Sequence, residues 1–489
     1  MVSSTASFYS ALMVPVFKRT LCLGLLLFVL NLTSTAQTWN LFWSDEFNGS
    51  SINSANWTYD TGVLNVNDEV EYYCAPSSNT APCDSTNPNA YLDGSGHLII
   101  QALRINSGVA PYSGSWTSAR LNSSNLQSFQ YGRIESSMSL PLGPGLWPAF
   151  WALGTNISTV GWPASGEIDY MENVPLSAGL GPSTISSTLH GGLSSSDCYC
   201  GGNGLGKDYT FPSSDANGPD VTTFHTYGAI WSPYMVQFYV DDPTNIFFVR
   251  TAADVPSGFT WDYNHPFFLL LNLAVGGTGS WPGPPDNTTP SPAVMSIDYV
   301  RVYTASQVPP PTMSAPSITA TAGSTASSTV TLNSTAGTGR VYLSCSTTAP
   351  KANCSVNTSD SLDQYTVDFS SASSASATVS VSTTANTNGS AALGTAAALW
   401  SLTGTLPVAL VLPFSRRRWR YSLKFAGTLL VLSLLSACGG SSSSQTSGGG
   451  GSTFSGTPPG NYTITVNAYT VSNTSGTADA VLNIPLTVK

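Results

Sequence analysis

Three carboxylates fall within six residues, Glu167, Asp169 and Glu172, in a chain of 489 residues of which only 9% are charged. In an extended strand side chains alternate between faces, so Glu167 and Asp169 share one face. Glu172, an odd number of positions from Glu167, takes the other. One extra residue, a β-bulge near Tyr170 or Met171, returns Glu172 to the face of the first two, and bulges tend to sit beside active sites. Ile168, Tyr170 and Met171 read as a buried strand, and the run lacks the Gly, Asn or Asp at alternate positions that a cation loop carries. Three acids on one wall suit hydrolysis of a glycosidic bond. One carboxylate attacks the anomeric carbon and a protonated carboxyl gives its proton to the leaving oxygen. A middle acid, Asp169, can hydrogen-bond the attacking group, while crowding of negative charge helps to keep one member protonated near neutral pH.

The acids sit in the run 166–172 (GEIDYME), preceded by 145–151 (GLWPAFW) and 161–163 (GWP). Together with 43–49 (WSDEFNG), 131–135 (YGRIE), 224–227 (FHTY) with Trp231, and 298–303 (DYVRVY), these segments resemble, in order, glycoside hydrolase family 16 over roughly residues 39 to 304. The resemblance implies an all-β jelly-roll sandwich of concanavalin-like type whose concave sheet holds a polysaccharide, and hydrolysis with retention. It implies Glu167 as nucleophile, Asp169 as its assistant and Glu172 as general acid/base. Met171, the extra residue, resembles the laminarinase-like branch, which cuts β-1,3 or mixed β-1,3/1,4 glucans, rather than the lichenases. It further implies that Asn67, in 67–73 (NDEVEYY), and Arg120, in 117–120 (TSAR), touch the sugar, although Asp68 stands where the family usually has a second Asn. A structural calcium ion on the convex face, on Asp298 with backbone oxygens near Gly94 or Gly96, belongs to the same expectation, and no cofactor is required for catalysis.

Sugar rings present flat C–H faces that stack on aromatic rings. Trp147, Trp151, Trp162 and Trp281, near the acids, are therefore candidate platforms, whereas Trp231 lies inside a strand and is expected in the core. His190 ends the strand after the acids, either as a hydrogen-bond partner near Glu172 or as a buried structural histidine.

The elements that must position these groups read as short alternating segments broken by Gly, Pro, Asn and Ser: 97–103, 131–139, 186–190, 226–231, 236–240, 267–274 and 295–303. The stretch 191–222 reads as a long loop walling a cleft. Lys18 and Arg19, an apolar run over 21–32 and Ser34-Thr35-Ala36 read as a secretory signal occupying 1–36. Export allows disulfides. Cys74 with Cys83 and Cys345 with Cys354 would close short loops, but Cys198 with Cys200 would form a strained ring, which leaves a crossed arrangement among the first four open.

After the catalytic region, 37–304, comes a Pro-rich linker at 305–312 and a Ser/Thr-rich, immunoglobulin-like β module at 313–390. Residues 391–438 form an apolar pair of runs around the basic loop Arg416 to Lys424, which reads as a membrane anchor. The run 435–438 (LSAC) resembles a lipoprotein processing site, followed by a Gly/Ser tether at 439–455 and a C-terminal hairpin at 456–489. The hairpin either completes the module or stands as a separate stub. Scission at Cys438 would release it.

Hydrophobic residues make up 41% of the chain, enough for packed cores. A net charge of −10, from 16 basic and 26 acidic residues, gives no electrostatic basis for nucleic-acid binding and suits a neutral β-glucan as partner. The chain is expected to be exported and monomeric. A galactan hydrolase or transglycosylase of the same fold is the nearest alternative, and a non-catalytic carbohydrate-binding protein a more distant one.

Overall fold

The computed structural model describes residues 36–105, 114–174, 180–200, 204–386 and 455–489. The signal segment, apart from Ala36, and the apolar segment 391–438 lie outside them. Among the described residues no helix is long and apolar enough to cross a membrane.

The catalytic region is a jelly-roll sandwich of two sheets. One runs in the order Ile246–Thr251, Met235–Val240, His225–Ser232, Gly132–Ser139, Ala293–Ala305, Leu98–Arg104, Trp116–Ser118 and Glu71–Tyr73, with Trp39–Asp45 and Ala90–Leu92 paired onto it. The other runs Asp197–Tyr199, Thr184–Ser194, Glu167–Glu172, Leu146–Gly154, Phe267–Val275, Arg120–Asn122 and Thr58–Asp60, with Lys207–Thr210 beside Thr184–Ser194. The stretch 191–222 is thus partly ordered into strands: Gly191 and Gly192 pair with Tyr199 and Cys198, and the chain folds back on itself there.

Alternation accounts for the core. In Phe267–Val275, Phe267, Leu269, Leu271, Leu273 and Val275 enter the cluster between the sheets. The intervening Phe268 and Leu270 pack instead with Leu153 and Trp151 on the opposite face. A strand covered on both sides reads as a continuous apolar run, and this one holds a single polar residue, Asn272.

Cysteines pair as Cys74–Cys83, Cys198–Cys200 and Cys345–Cys354. Cys198 and Cys200, two residues apart, lie 5.4 Å apart at Cα and pair with each other, so the crossed arrangement is not formed.

The second β region has sheets ordered Thr312–Ser314, Thr325–Asn333, Ser374–Thr383, Ala352–Thr358, and Ile318–Ala320, Ala480–Val488, Gly460–Thr470, Arg340–Thr347, Thr366–Asp368. The C-terminal hairpin is therefore no stub; it lies inside the second sheet. The region packs on the catalytic sandwich through Tyr342, Tyr469 and Val471 against Tyr234, Ile230 and Met235. Arg340, nearly buried, donates to Asp360 at 2.8 Å, Asp368 at 3.0 Å and Gln237 of the catalytic sandwich at 3.2 Å.

Leu271 is fully buried between the sheets. Leu271→Ala is expected to lower unfolding free energy by about 2–5 kcal/mol, read by chemical denaturation, and a loss below about 1 kcal/mol would contradict this packing.

Candidate active site

The Glu167–Glu172 strand lies between Leu146–Gly154 and Thr184–Ser194. Against Leu146–Gly154, Asp169 faces Trp151, Met171 faces Phe150 and Glu172 faces Ala149, so one extra residue enters between Asp169 and Met171. The same slip occurs on the other side, where Asp169 faces Thr188 and Glu172 faces Ser186. Ile168, Tyr170 and Met171 all enter the core, with Tyr170 stacked on Phe150 at 4.7 Å. This bulge returns Glu172 to the cleft with Glu167 and Asp169.

Indole N–H groups hold the outer acids. Trp162 Nε1 donates to Glu167 Oε2 at 2.8 Å, and Trp147 Nε1 donates to Glu172 Oε1 at 3.0 Å. Asp169, almost wholly buried, has His190 Nε2 3.0 Å from its Oδ2, while the same nitrogen is 4.0 Å from Glu167 Oε1. His190 therefore contacts Asp169 and Glu167 rather than Glu172. Its register opposite Glu167 places it there, and the bulge carries Glu172 past it to Ser186.

Burial raises the proton affinity of all three acids. Glu167 is pushed up to about 8 by burial and then by the Asp169 charge, against the His190, Trp162 and Arg120 contributions. Glu172 is pushed up to about 7, by burial first, with His190 and the Trp147 N–H opposing and the Glu167 charge adding. Asp169 stands well above the usual carboxylate range because of burial and the Glu172 charge. The Asp169 charge raises Glu167 and the Glu172 charge raises Asp169, so ionisation of one acid disfavours ionisation of the next.

Arg120 lies over the Trp151 ring at 4.7 Å and pairs with Asp60 at 2.9 Å. Trp151 Nε1 donates to Asn272 Oδ1 at 2.7 Å, which fixes the ring's tilt. Trp151 is thus held from two sides, and its face toward Arg120 is occupied. Trp147 meets Trp281 edge to face at 5.8 Å. Among the described residues Trp162 and Trp281 are the exposed tryptophans, at 41% and 40%, while Trp231 is core. Asn67 lines the same cleft and donates to Glu69 at 3.1 Å. Asn67 and Asp68 both take positive φ, which Asn and Asp tolerate best, and the Asp68 carbonyl accepts from Gly277 N–H at 2.7 Å. Asp298 is remote from this cleft, at the bulge between Ile297 and Tyr299.

Sequence reasoning missed Asn272, Glu69 and Asp60. Asn272 had a usable signal as the single polar residue in the FFLLLNLAV strand. Glu69 lies in the 67–73 run that marks Asn67, which is its usable signal, whereas Asp60 joins through its pair with Arg120 and nothing in its local sequence marks it.

Crowded carboxylates, indole donors and an aromatic-lined cleft on a jelly roll define a glycoside-hydrolase type of site. The model of the family described as "Glycosyl hydrolases family 16" matches residues 78–301. The chain is 34% identical over 278 residues to the "Beta-glucanase" of Rhodothermus marinus, covering 55% of this chain and 86% of that protein. It is also 34% identical over 274 residues to "Glucan endo-1,3-beta-glucosidase A1" of Niallia circulans, covering 54% of this chain but 38% of that longer protein. A solved endo-beta-1,3-glucanase from Pyrococcus furiosus aligns with 38% identity and a TM-score of 0.47, covering 55% of this chain and 95% of that chain. The chain belongs to glycosyl hydrolases family 16.

Two titrations test the site. Trp162→Phe, read by carboxyl carbon NMR, is expected to move Glu167 above about 8, and Trp147→Phe to move Glu172 above about 7, because each removes a donor that favours the ionised form. Unmoved titrations would show that the indole contacts are not formed.

Asp169 offers a stability test. A carboxyl whose folded pKa is raised costs nothing below about pH 4, where both states are protonated, and destabilises increasingly as pH rises toward the folded value. Asp169→Asn is therefore expected to gain in Tm over the parent between pH 4 and 8. A gain independent of pH would contradict it.

Proposed function

We propose that the chain is an exported, monomeric, endo-acting hydrolase of β-1,3 or mixed β-1,3/1,4 glucans that works by retaining double displacement. The observation that carries this reading is the bulged strand that sets Glu167, Asp169 and Glu172 on one cleft wall. The relatives' names, a glucan endo-1,3-beta-glucosidase and a beta-glucanase, support the polymer class.

Glu167 attacks the anomeric carbon as the bond to the leaving oxygen breaks, and Glu172 supplies that oxygen with its proton. A glycosyl ester of Glu167 results. Glu172, now ionised, takes a proton from water, which attacks the same carbon and releases Glu167. His190, the Trp162 N–H and Arg120 favour the ionised form of Glu167 that attacks, against its burial and the Asp169 charge. Trp162 and Trp281, exposed near the acids, supply faces for sugar rings, and Arg120 and Asn67 supply polar contacts.

For Asp298 we propose a structural calcium ion with no catalytic part. Leu98 pairs with Ile297, so the 93–97 turn, with Gly94 and Gly96, sits beside Asp298 and offers the oxygen ligands a hard cation takes.

Reducing-end release on β-1,3-glucan, mixed-linkage glucan and agarose tests the reading. Cleavage of the first two is expected, with Glu167→Gln and Glu172→Gln each losing roughly 10²–10⁴-fold or more in rate while remaining folded. The first product formed, followed by proton NMR, should be the β-anomer. Cleavage of agarose alone would move the substrate to galactans, an α-anomer would overturn retention, and binding without cleavage would leave a carbohydrate-binding protein.

A further inference from the structure

The second β region is closed by chain that arrives from far away in sequence. Strand Ser374–Thr383 is the last in sequence of its sheet, the chain is described to Asn386, and the chain next described begins at Ser455. The two ends meet. Thr457 N–H donates to the Thr384 carbonyl at 2.9 Å, Thr384 N–H to Thr457 Oγ1 at 2.9 Å, Asn386 Nδ2 to the Thr457 carbonyl at 3.0 Å, and Gly456 N–H to Asn386 Oδ1 at 3.1 Å. Both threonines are fastened to one further point, the Lys351 carbonyl, at 2.7 Å from Thr384 Oγ1 and 2.9 Å from Thr457 Oγ1. The interval between Asn386 and Ser455 thus leaves and re-enters the domain at one place.

The hairpin beyond Thr457 supplies two strands of one sheet. Gly460–Thr470 pairs along Arg340–Thr347, and Ala480–Val488 pairs with Gly460–Thr470 and, in parallel, with Ile318–Ala320. Ile464, Val466, Ala468, Ile484, Leu486 and Val488 are buried in the core of the region. Without the hairpin, Ile318–Ala320 loses its sheet partner, and Arg340–Thr347 bares both a backbone edge and an apolar face. The hairpin also bridges to the catalytic sandwich. Tyr469 packs on Tyr234 at 4.6 Å and the Gly476 carbonyl accepts from the Tyr234 hydroxyl at 2.9 Å, while the Ser472 carbonyl accepts from Gln307 Nε2, in the segment joining the two regions, at 3.0 Å.

We propose that residues 455–489 act as a strand-donating segment. They dock into an open receptor formed by 313–386 and stay docked when the chain is interrupted anywhere between 386 and 455. Affinity comes from main-chain pairing and specificity from alternate side chains entering the core, as in β-strand addition. A chain cut at Cys438 therefore remains one particle held by strand pairing, where the sequence alone implied release of the hairpin. The partner that fits this receptor is the chain's own C-terminus, and whatever is attached upstream of Gly456 after scission is carried with it.

The test uses the full chain in detergent, with a site-specific protease sequence placed in the Gly/Ser tract 439–452 and scission verified on a denaturing gel. On size exclusion under native conditions the small fragment is expected to co-elute with the large one, and to be lost when Ile464→Asp and Leu486→Asp are combined. Departure of the small fragment from the unsubstituted protein without denaturant would overturn the proposal. A second chain, with 387–454 replaced by a short Gly/Ser bridge, is expected to unfold at the parent's midpoint; a lowered midpoint would show that the interval itself supports the domain, and would overturn it equally.

Discussion

The active wall depends on a single parity constraint. A regular strand cannot place Glu167 and Glu172 on one face, and it cannot bury Ile168, Tyr170 and Met171 together on the other. Inserting one residue satisfies both demands at once. Tyr170 and Met171 enter the core side by side, the register slips against both neighbouring strands, and Glu172 turns into the cleft. The energy that holds the bulge comes from the core: Tyr170 and Met171 are buried, and the Tyr170 ring stacks on Phe150. Apolar packing on one side of the sheet thereby fixes acid geometry on the other.

The electrostatics of the wall follow from that placement. Burial makes every charge there costly, so all three acids hold protons more tightly than free carboxyls. The surroundings then distinguish them. Asp169, the most buried and without an indole donor, stands well above the usual carboxylate range. Glu167 gains Trp162, His190 and the field of Arg120, all favouring ionisation. Glu172 has the Trp147 donor and feels His190 through its charge alone. Arg120, Trp151, Asn272 and Asp60 form a separate, mutually fastened group on the neighbouring strands, which keeps one aromatic wall rigid while Trp162 and Trp281 remain exposed.

The second β region adds a different dependence. Part of its core, the order of one of its sheets and part of its seat on the catalytic sandwich pass through the C-terminal hairpin, with Tyr469 facing the catalytic side while Ile464 and Leu486 face inward. One segment therefore couples closure of the second region to its attachment to the first.

The sequence by itself determined the fold class and the group of three crowded acids, because both are written locally. Alternating apolar residues mark strands, three acids in six residues mark a site, and the mismatch between acid parity and apolar parity already demands a bulge. It also marked Trp162 and Trp147 as candidate subsites, without showing that their indoles would bind the acids. Only the tertiary structure decided the rest. It assigned His190 to Asp169 and Glu167, because cross-strand register, not sequence distance, sets which side chains meet. It brought Asn272, Glu69 and Asp60 to the cleft from segments far apart in the chain. It paired Cys198 with Cys200, and it seated residues 460–488 within a sheet begun more than a hundred residues earlier. Such outcomes depend on which strands become neighbours, and that is set by the burial of whole faces at once, a property no local stretch of sequence carries.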